Sequence, residues 1–483
     1  MSNTQTKRVP YKLPKPLYCD PEELGERLTY DQVKKYIDLH EQTLRRYEYL
    51  ENLYEGFHDI FHQPDKDGWK PDWRLAVNFP KYITDTFLGY GYGIPIKVSH
   101  PDDAVSENVE QFERLNEFPD LVMELARYCC MYGHAWNYMY QDEEGKTNAT
   151  PLTPKEFFCV YDDTMKKHAV FAVRYGRHGV GKHKGELYGE VIQPRLVQRF
   201  DAGQMIPDRE EVNEYGRINA VEWQLNSMRM GLYEPVAGLV ELFNHTLSEK
   251  GNDVDAFAEA ILAVIGPEVQ EGDLENMRDK RLVNLFGTDN VKDAIVQYLT
   301  KPSADGTQEN LLDRLERLIY QIAMVANISD ESFGSATSGV ALAYKLWATS
   351  NVVQTFNRKI DKSLRKMFKL WCSFATNTTK PDAYADMDFQ FSVNVPKNIQ
   401  EETDTASKAE GMVSRRTQLS LLSYVPDPDA ELEQIAEEEE KAREAQASSI
   451  YGGGLSAAIA LLEDAGYTVT RAEEVAEDGD EED

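Results

Sequence analysis

The chain has 483 residues, 41% of them hydrophobic, enough for roughly two or three globular domains. Its 83 acidic side chains outnumber 52 basic ones, for a formal net charge of −31. Such a chain repels itself and repels nucleic acid, which excludes a general basic DNA-binding face and leaves only local or weak nucleic-acid contact.

Five cysteines, Cys19, Cys129, Cys130, Cys159 and Cys372, form no C-x-x-C pair. Neither a disulfide framework nor a zinc ribbon is expected, which suits a reducing cytosol. The opening MSNTQTKRVPYKLPKP lacks an apolar core, so a secretory leader is not expected. No run of about 18 apolar residues predicts a membrane span.

Residues 1–29 read as a polar, proline-containing arm. Apolar and aromatic residues from Val33 to Tyr54 recur at three- and four-residue steps, predicting a helix from Asp31 to Glu55 closed by Gly56. A second helix follows Pro80. The Gly89–Gly93 run predicts a turn into a strand at Ile94–Val98, and a third helix covers 118–131. From 133 to 230, short apolar runs such as Ala135–Tyr140, Phe157–Tyr161, Ala169–Tyr175, Glu186–Ile192 and Asn219–Gln224 predict an antiparallel sheet.

Pro235 then pre-sets the start of a helix over 234–259, about 39 Å long. A compact insert follows, with strands Ile261–Ile265 and Ala294–Leu299 around a helix Leu274–Phe286. A helix over 308–326 returns antiparallel to the first. The segment SDESFGSATSG, 329–339, is a loop of small polar residues. It opens into an unusually long helix, Val340 to Ala375. A strand at Asp388–Val393, helices at 401–411 and 414–423, and an acidic helix Ala430–Ala447 complete the body. A Gly452–Gly454 hinge leads to a short apolar helix, Leu455–Ala465, and a charge-dense end. The fold class is α+β, mainly helical.

This order of elements resembles the portal proteins of long-tailed bacteriophages of Gram-positive hosts, over roughly residues 30–435. Four stretches carry the resemblance: Asn78-Phe79-Pro80-Lys81-Tyr82-Ile83 with the helix before it and the glycine run after it; Glu234-Pro235 through Asn252-Asp253-Val254; Asp330-Glu331-Ser332-Phe333-Gly334 with Ser338-Gly339-Val340-Ala341-Leu342; and Gly411-Met412-Val413-Ser414 with Glu431-Leu432-Glu433. What the resemblance implies is a homododecameric ring around a DNA channel at the portal vertex of the capsid. Its wing would cover 30–231 and, with the long helix and a strand, 340–395. A two-helix stem would comprise 232–259 and 308–328, with an α/β clip at 260–307 between them. The tunnel loop would be 329–339 and a helical crown 396–447, leaving an acidic tail at 448–483. Implied partners are the terminase large subunit, head-completion and neck proteins, major capsid and scaffold proteins, and double-stranded DNA bound without sequence preference. The resemblance also implies assembly in the host cytoplasm and presence in the virion.

A conduit must guide DNA without holding it. Each Lys or Arg contact with a phosphate adds affinity, whereas an acidic wall keeps the duplex centred. Equally, the acidity can serve only to keep a large assembly soluble. In the loop, Ser329, Asp330, Glu331, Ser332, Phe333, Gly334, Ser335, Ala336, Thr337, Ser338 and Gly339 are the DNA-facing candidates. Small hydroxyl and glycine residues move at low steric cost and touch phosphates without a full charge. Ser338 alternatively caps the long helix. Arg358, Lys362, Arg365 and Lys369 share one helix face, as an inter-subunit or DNA-facing basic stripe or as a solvated face paired with acids.

Other signals carry less. His58 and His62 have no third ligand nearby, and Gly89–Gly93 lacks the Lys-Ser/Thr of a phosphate loop. Cys129-Cys130 suits core packing. No Walker loop or recognisable triad indicates an enzyme, and no metal or cofactor is expected. The competing reading is a virion adaptor that binds protein only.

Overall fold

In the computed structural model the described residues are 11–66, 71–258, 261–265, 295–299, 305–328, 339–395, 399–422, 424–425 and 427–468. The chain forms two compact units, residues 1–394 and 395–483. The first unit mixes helices and sheets.

Helix α1, Tyr30–Glu55, starts at a capping box in which the Thr29 side chain and Gln32 satisfy each other's free backbone N–H groups. It stops at Gly56, whose φ of 93° is the left-handed conformation glycine tolerates. Its 26 residues reach about 39 Å, long enough to serve two cores. Val33 and Ile37 pack on one sheet with Phe158, Phe171 and Val191. Tyr47, Leu50 and Leu53 enter the main helical core.

Helix α2, Phe79–Tyr92, runs through two of the three glycines expected to form a turn, and the following strand, β2, is Lys97–Ser99. The reason is close packing. A Cβ on Gly91 would lie 3.1 Å from the Val353 methyls, so the glycine lets α2 approach the long helix. Helix α3, Asp103–Leu115, was not anticipated, although Val105, Val109 and Phe112 form its buried face. Helix α4, Phe118–Tyr132, agrees with the pattern.

The region 133–230 contains two sheets rather than one. Strands β3 (His134–Gln141), β4 (Thr147–Leu152) and β10 (Ala220–Gln224) form a three-stranded sheet in the order β10-β3-β4. The larger sheet holds β5 (Phe157–Asp162), β6 (Ala169–Arg177), β7 (Leu187–Ile192), β8 (Leu196–Asp201) and β9 (Gln204–Val212). Its other edge is β1, Leu17–Cys19, parallel to β5, so part of the expected free arm is a strand. The edge strand β9 escaped the apolar pattern because it carries Pro207, Asp208 and three further charges. These features blunt an exposed edge.

A short 3-10 turn, Glu234–Val236, leads into α5, Ala237–Ala258. Strands β11 (Ile261–Ile265) and β12 (Ile295–Leu299) pair antiparallel, and α6, Asp305–Ala323, follows. The expected helix Leu274–Phe286 lies outside the described residues. Helices α5 and α6 are antiparallel. Gln308 donates to Asp253 at 3.3 Å near one end, and Phe79 contacts both Phe243 and Tyr320 near the other.

Helix α7 spans Gly339–Trp371 without a break. Its 33 residues extend about 50 Å, and Val353, Phe356, Ile360, Leu364 and Met367 are buried. Strand β13, Asp388–Gln390, pairs with β2.

The second unit holds α8 (Ile399–Lys408), α9 (Arg415–Ser420) and α10 (Pro428–Asp464). Asp427 caps α10. Gly452–Gly454 is not a hinge, because α10 continues across it into the expected short apolar helix. Each glycine costs about 1 kcal/mol relative to alanine in a helix, and the flanking Ala-, Leu- and Glu-rich sequence outweighs that. Among the described residues no helix is long and apolar enough to cross a membrane.

Candidate functional site

The long paired rod of α5 and α6 is anchored at its base by buried charges. Arg46, 2% exposed, donates to Glu234 from Nε at 2.7 Å and from a terminal guanidinium nitrogen. It also donates to the carbonyls of Tyr132 (3.2 Å) and Arg229 (3.0 Å). Glu234 further accepts from the Gly231 amide at 2.9 Å. The turn that leads into the rod is thereby tied to α1 and to the end of α4.

A second ionic group adjoins it. Arg229 pairs with Glu222 on β10 at 2.7 Å. The same carboxylate meets His134 Nδ1 at 3.0 Å, and His134 Nε2 meets the Tyr47 hydroxyl at 2.9 Å. Burial alone would raise the Glu222 carboxyl, but the Arg229 charge and the His134 hydrogen bond hold it below the carboxylate range. Burial lowers His134 to about 4 despite Glu222, and raises Tyr47 to about 12. At neutral pH, therefore, His134 is uncharged, donates from Nδ1 to Glu222 and accepts at Nε2 from Tyr47. His40, stacked on Phe158, falls to about 3 through burial and the proximity of His134.

These shifts give a pH dependence with one sign. In the unfolded chain both imidazoles protonate near the ordinary value of 6.5, while in the fold they resist until about 4 and about 3. The unfolded state therefore binds more protons across that window, and stability falls as pH falls. Between about pH 7 and pH 5 the two groups withdraw on the order of 3 kcal/mol. Below 4.5, the ordinary value for Glu222, its depressed carboxyl adds a loss of the same sign. The thermal midpoint should drop between pH 7 and pH 5, and less steeply in His40→Phe. An equal drop in both proteins would count against His40 as a source.

Alongside α5 runs an extended segment, residues 71–78. The Asn252, Ser248 and Asn244 side chains accept from the amides of Trp73 (2.6 Å), Leu75 (2.9 Å) and Val77 (2.8 Å). Ser248 also donates to the Leu75 carbonyl at 3.1 Å. Four-residue helix steps and two-residue strand steps advance by similar distances, about 6–7 Å, so the two rows stay in register. Lys66 pairs with Glu249 at 2.8 Å, and the Trp73 indole donates to Asp255. Sequence reasoning passed over this strap because three polar residues at four-residue spacing look like a solvated helix face.

Of the loop candidates, Ser329 through Ser338 lie outside the described residues. Gly339 is the first residue of α7. At the loop's entrance the Ala326 amide donates to Thr349 at 3.2 Å, and the Ile328 amide to the Tyr82 hydroxyl at 3.1 Å.

The basic stripe divides in two. Arg358 and Lys362 are exposed. Arg365 is engaged within its own chain, with Asp361 (3.1 Å), the Met387 carbonyl (3.1 Å) and the Phe389 ring (5.3 Å). Lys369 lies over the Tyr384 ring at 5.1 Å. The structure buries His58 and exposes His62. Among the described residues no three His, Cys, Asp or Glu side chains gather as metal ligands.

The chain matches the family described as "Phage portal protein, SPP1 Gp6-like" over residues 33–445. The portal protein of Bacillus phage SPP1 is 23% identical over 442 residues, spanning 84% of this chain and 86% of that protein. A chain from the neck of an empty GTA particle aligns with a TM-score of 0.43 at 10% identity, covering 72% of this chain and 90% of that one.

Proposed function

Since this chain belongs to the phage portal protein family of the SPP1 Gp6-like type, we propose that it builds one subunit of a ring through which DNA enters and leaves a phage head. The family is structural, and its members are virion components at the capsid vertex. The observation that carries the mapping onto this chain is the paired rod. Antiparallel α5 and α6 enclose the β11–β12 ladder in the chain, and the unbroken α7 follows.

In this reading α5 and α6 are the stem, 260–307 the clip, residues 30–231 and 340–395 the wing, and 396–447 the crown. The loop 329–339 borders the channel. The clip receives the terminase large subunit during packaging and the neck proteins afterwards, while capsid and scaffold proteins surround the wing. The ring is a dodecamer assembled in the host cytoplasm. The net charge of −31 supports a bore that repels the duplex backbone. The loop's hydroxyls offer uncharged contacts to phosphates. Arg358 and Lys362 are free to face a neighbouring subunit or the duplex, whereas Arg365 and Lys369 brace the wing internally.

Electron microscopy of the purified chain tests the reading. Closed rings with a central hole wide enough for duplex DNA are the expected result. Monomers or open filaments at every concentration would refute it.

A further inference from the structure

Two apolar strips, one on the strap beside α5 and one on α6, remain exposed in the single chain. The strap presents Trp73, Leu75 and Val77, which are 56%, 38% and 37% exposed. Alternation along an extended strand puts all three on one face. Helix α6 presents Leu311 and Ile322, 38% and 46% exposed. Arg314 lies beside them on the same helical surface.

The strap and α6 lie on opposite sides of α5. Residues advance about 100° per position around a helix. Asn244, Ser248 and Asn252 hold the strap. Lys250 and Asp253, about half a turn away, bond Glu309 and Gln308 of α6. The order across the rod is therefore strap, α5, α6. On α6, Leu311 and Ile322 sit about a quarter turn from the buried Leu312 and Ile319, so their strip faces sideways from the rod.

The charges differ as well. The strap side carries Asp65, Asp72, Glu249 and Asp255 against Lys66 and Arg74. On the α6 side, Arg314 and Arg317 are exposed, and among the described residues no carboxylate pairs with either. A closed ring of identical subunits needs two different, complementary faces on each subunit.

We infer that the Trp73–Leu75–Val77 strap of one subunit docks on the Leu311–Arg314–Ile322 face of α6 in the next copy of this chain. The assignment rests on the ring reading above. The apolar strips exclude water at the centre of the contact. The strap carboxylates meet Arg314 and Arg317 at its rim, where unlike charges select head-to-tail over like-to-like pairing. The polar latch to α5 has a role in this contact: it holds the strap extended and rigid before assembly, so that little ordering remains at docking.

Cross-linking tests it in the full chain. All five native cysteines are buried, so surface thiols can be added one at a time. Leu75→Cys combined with Leu311→Cys, and Leu75→Cys combined with Ile322→Cys, are treated with a short bis-maleimide. At least one pair should yield a covalent ladder extending to the full ring, while each single variant yields none. Leu75→Asp should separately raise the concentration for half-assembly by about tenfold or more, with unchanged far-ultraviolet circular dichroism. If the parent chain forms no rings, the ring reading falls and this interface with it. If rings form but neither pair gives a ladder, or Leu75→Asp assembles like the parent, the interface alone is wrong.

Discussion

Replacing Arg46 with methionine should destabilise the first unit by about 3–5 kcal/mol, the usual penalty for removing one partner of a buried ion pair. Methionine keeps an unbranched apolar stem, shorter than that of arginine, and removes the guanidinium. Glu234 then loses its bidentate partner while only 16% exposed, and the Tyr132 and Arg229 carbonyls lose their donor. Both consequences are desolvation penalties, which exceed the net worth of the hydrogen bonds themselves. Glu234→Leu alone should be similarly harmful, because it strands a cation that is 2% exposed. The combined Arg46→Met, Glu234→Leu chain should recover a large part of the loss, since a matched apolar pair leaves no buried charge. Urea unfolding of the four proteins gives the cycle directly. A double variant no more stable than the weaker single would mean that the pair contributes through shape rather than charge.

The location of that pair gives it functional weight. Glu234 opens the turn that leads into the rod, and Arg46 sits in the half of α1 that belongs to the main core. A long two-helix rod holds one direction only if its base does not yield. Buried ionic hydrogen bonds provide direction as well as energy, because they are satisfied in one arrangement only. The strap adds a second attachment farther along α5 through Asn244, Ser248 and Asn252. Together the two attachments restrain the rod at separate levels against the same body.

How much of this was legible in the residues depends on what stabilises each part. Helices α5, α6 and α7 declare themselves because their stability comes from apolar stripes at helical spacing, a local signal. The paired strands between α5 and α6 fell within a residue of their expected limits because each is a short, apolar-rich run, also a local signal. The ionic base was not legible. Arg46 and Glu234 are 188 positions apart, and nothing local marks an arginine as buried. The strap was missed because its partners are polar side chains that compete with water only once an extended segment lies beside them. The Gly89–Gly93 run misled because glycine serves close packing as well as turns. Which use applies depends on Val353, far along the chain. The central loop residues, Ser329 to Ser338, lie outside the described structure, so their assignment rests on sequence and on family membership.

Gly133→Ala is the second substitution with a large expected effect, on the order of 4 kcal/mol. Gly133 ends α4 with a φ of 89°, a conformation that already costs an alanine about 1 kcal/mol or more. The added Cβ would also lie 2.1 Å from the Arg229 carbonyl oxygen and 2.2 Å from its carbon. Those atoms are backbone and cannot rotate aside. The segment is held there by Leu225 donating to the Gly133 carbonyl at 3.0 Å and Leu232 donating to that of Cys130 at 2.7 Å. Relief therefore requires Arg229 to move, which breaks its pair with Glu222 and its carbonyl contact with Arg46 together. Gly145→Ala separates the two contributions. Gly145 has a φ of 73° but nothing within 4 Å of an added Cβ, so it should lose only the conformational part, about 1 kcal/mol. Thermal and urea unfolding of both variants measures the difference. Equal losses would mean that the collision is absorbed and that the 225–232 segment is looser than its hydrogen bonds indicate.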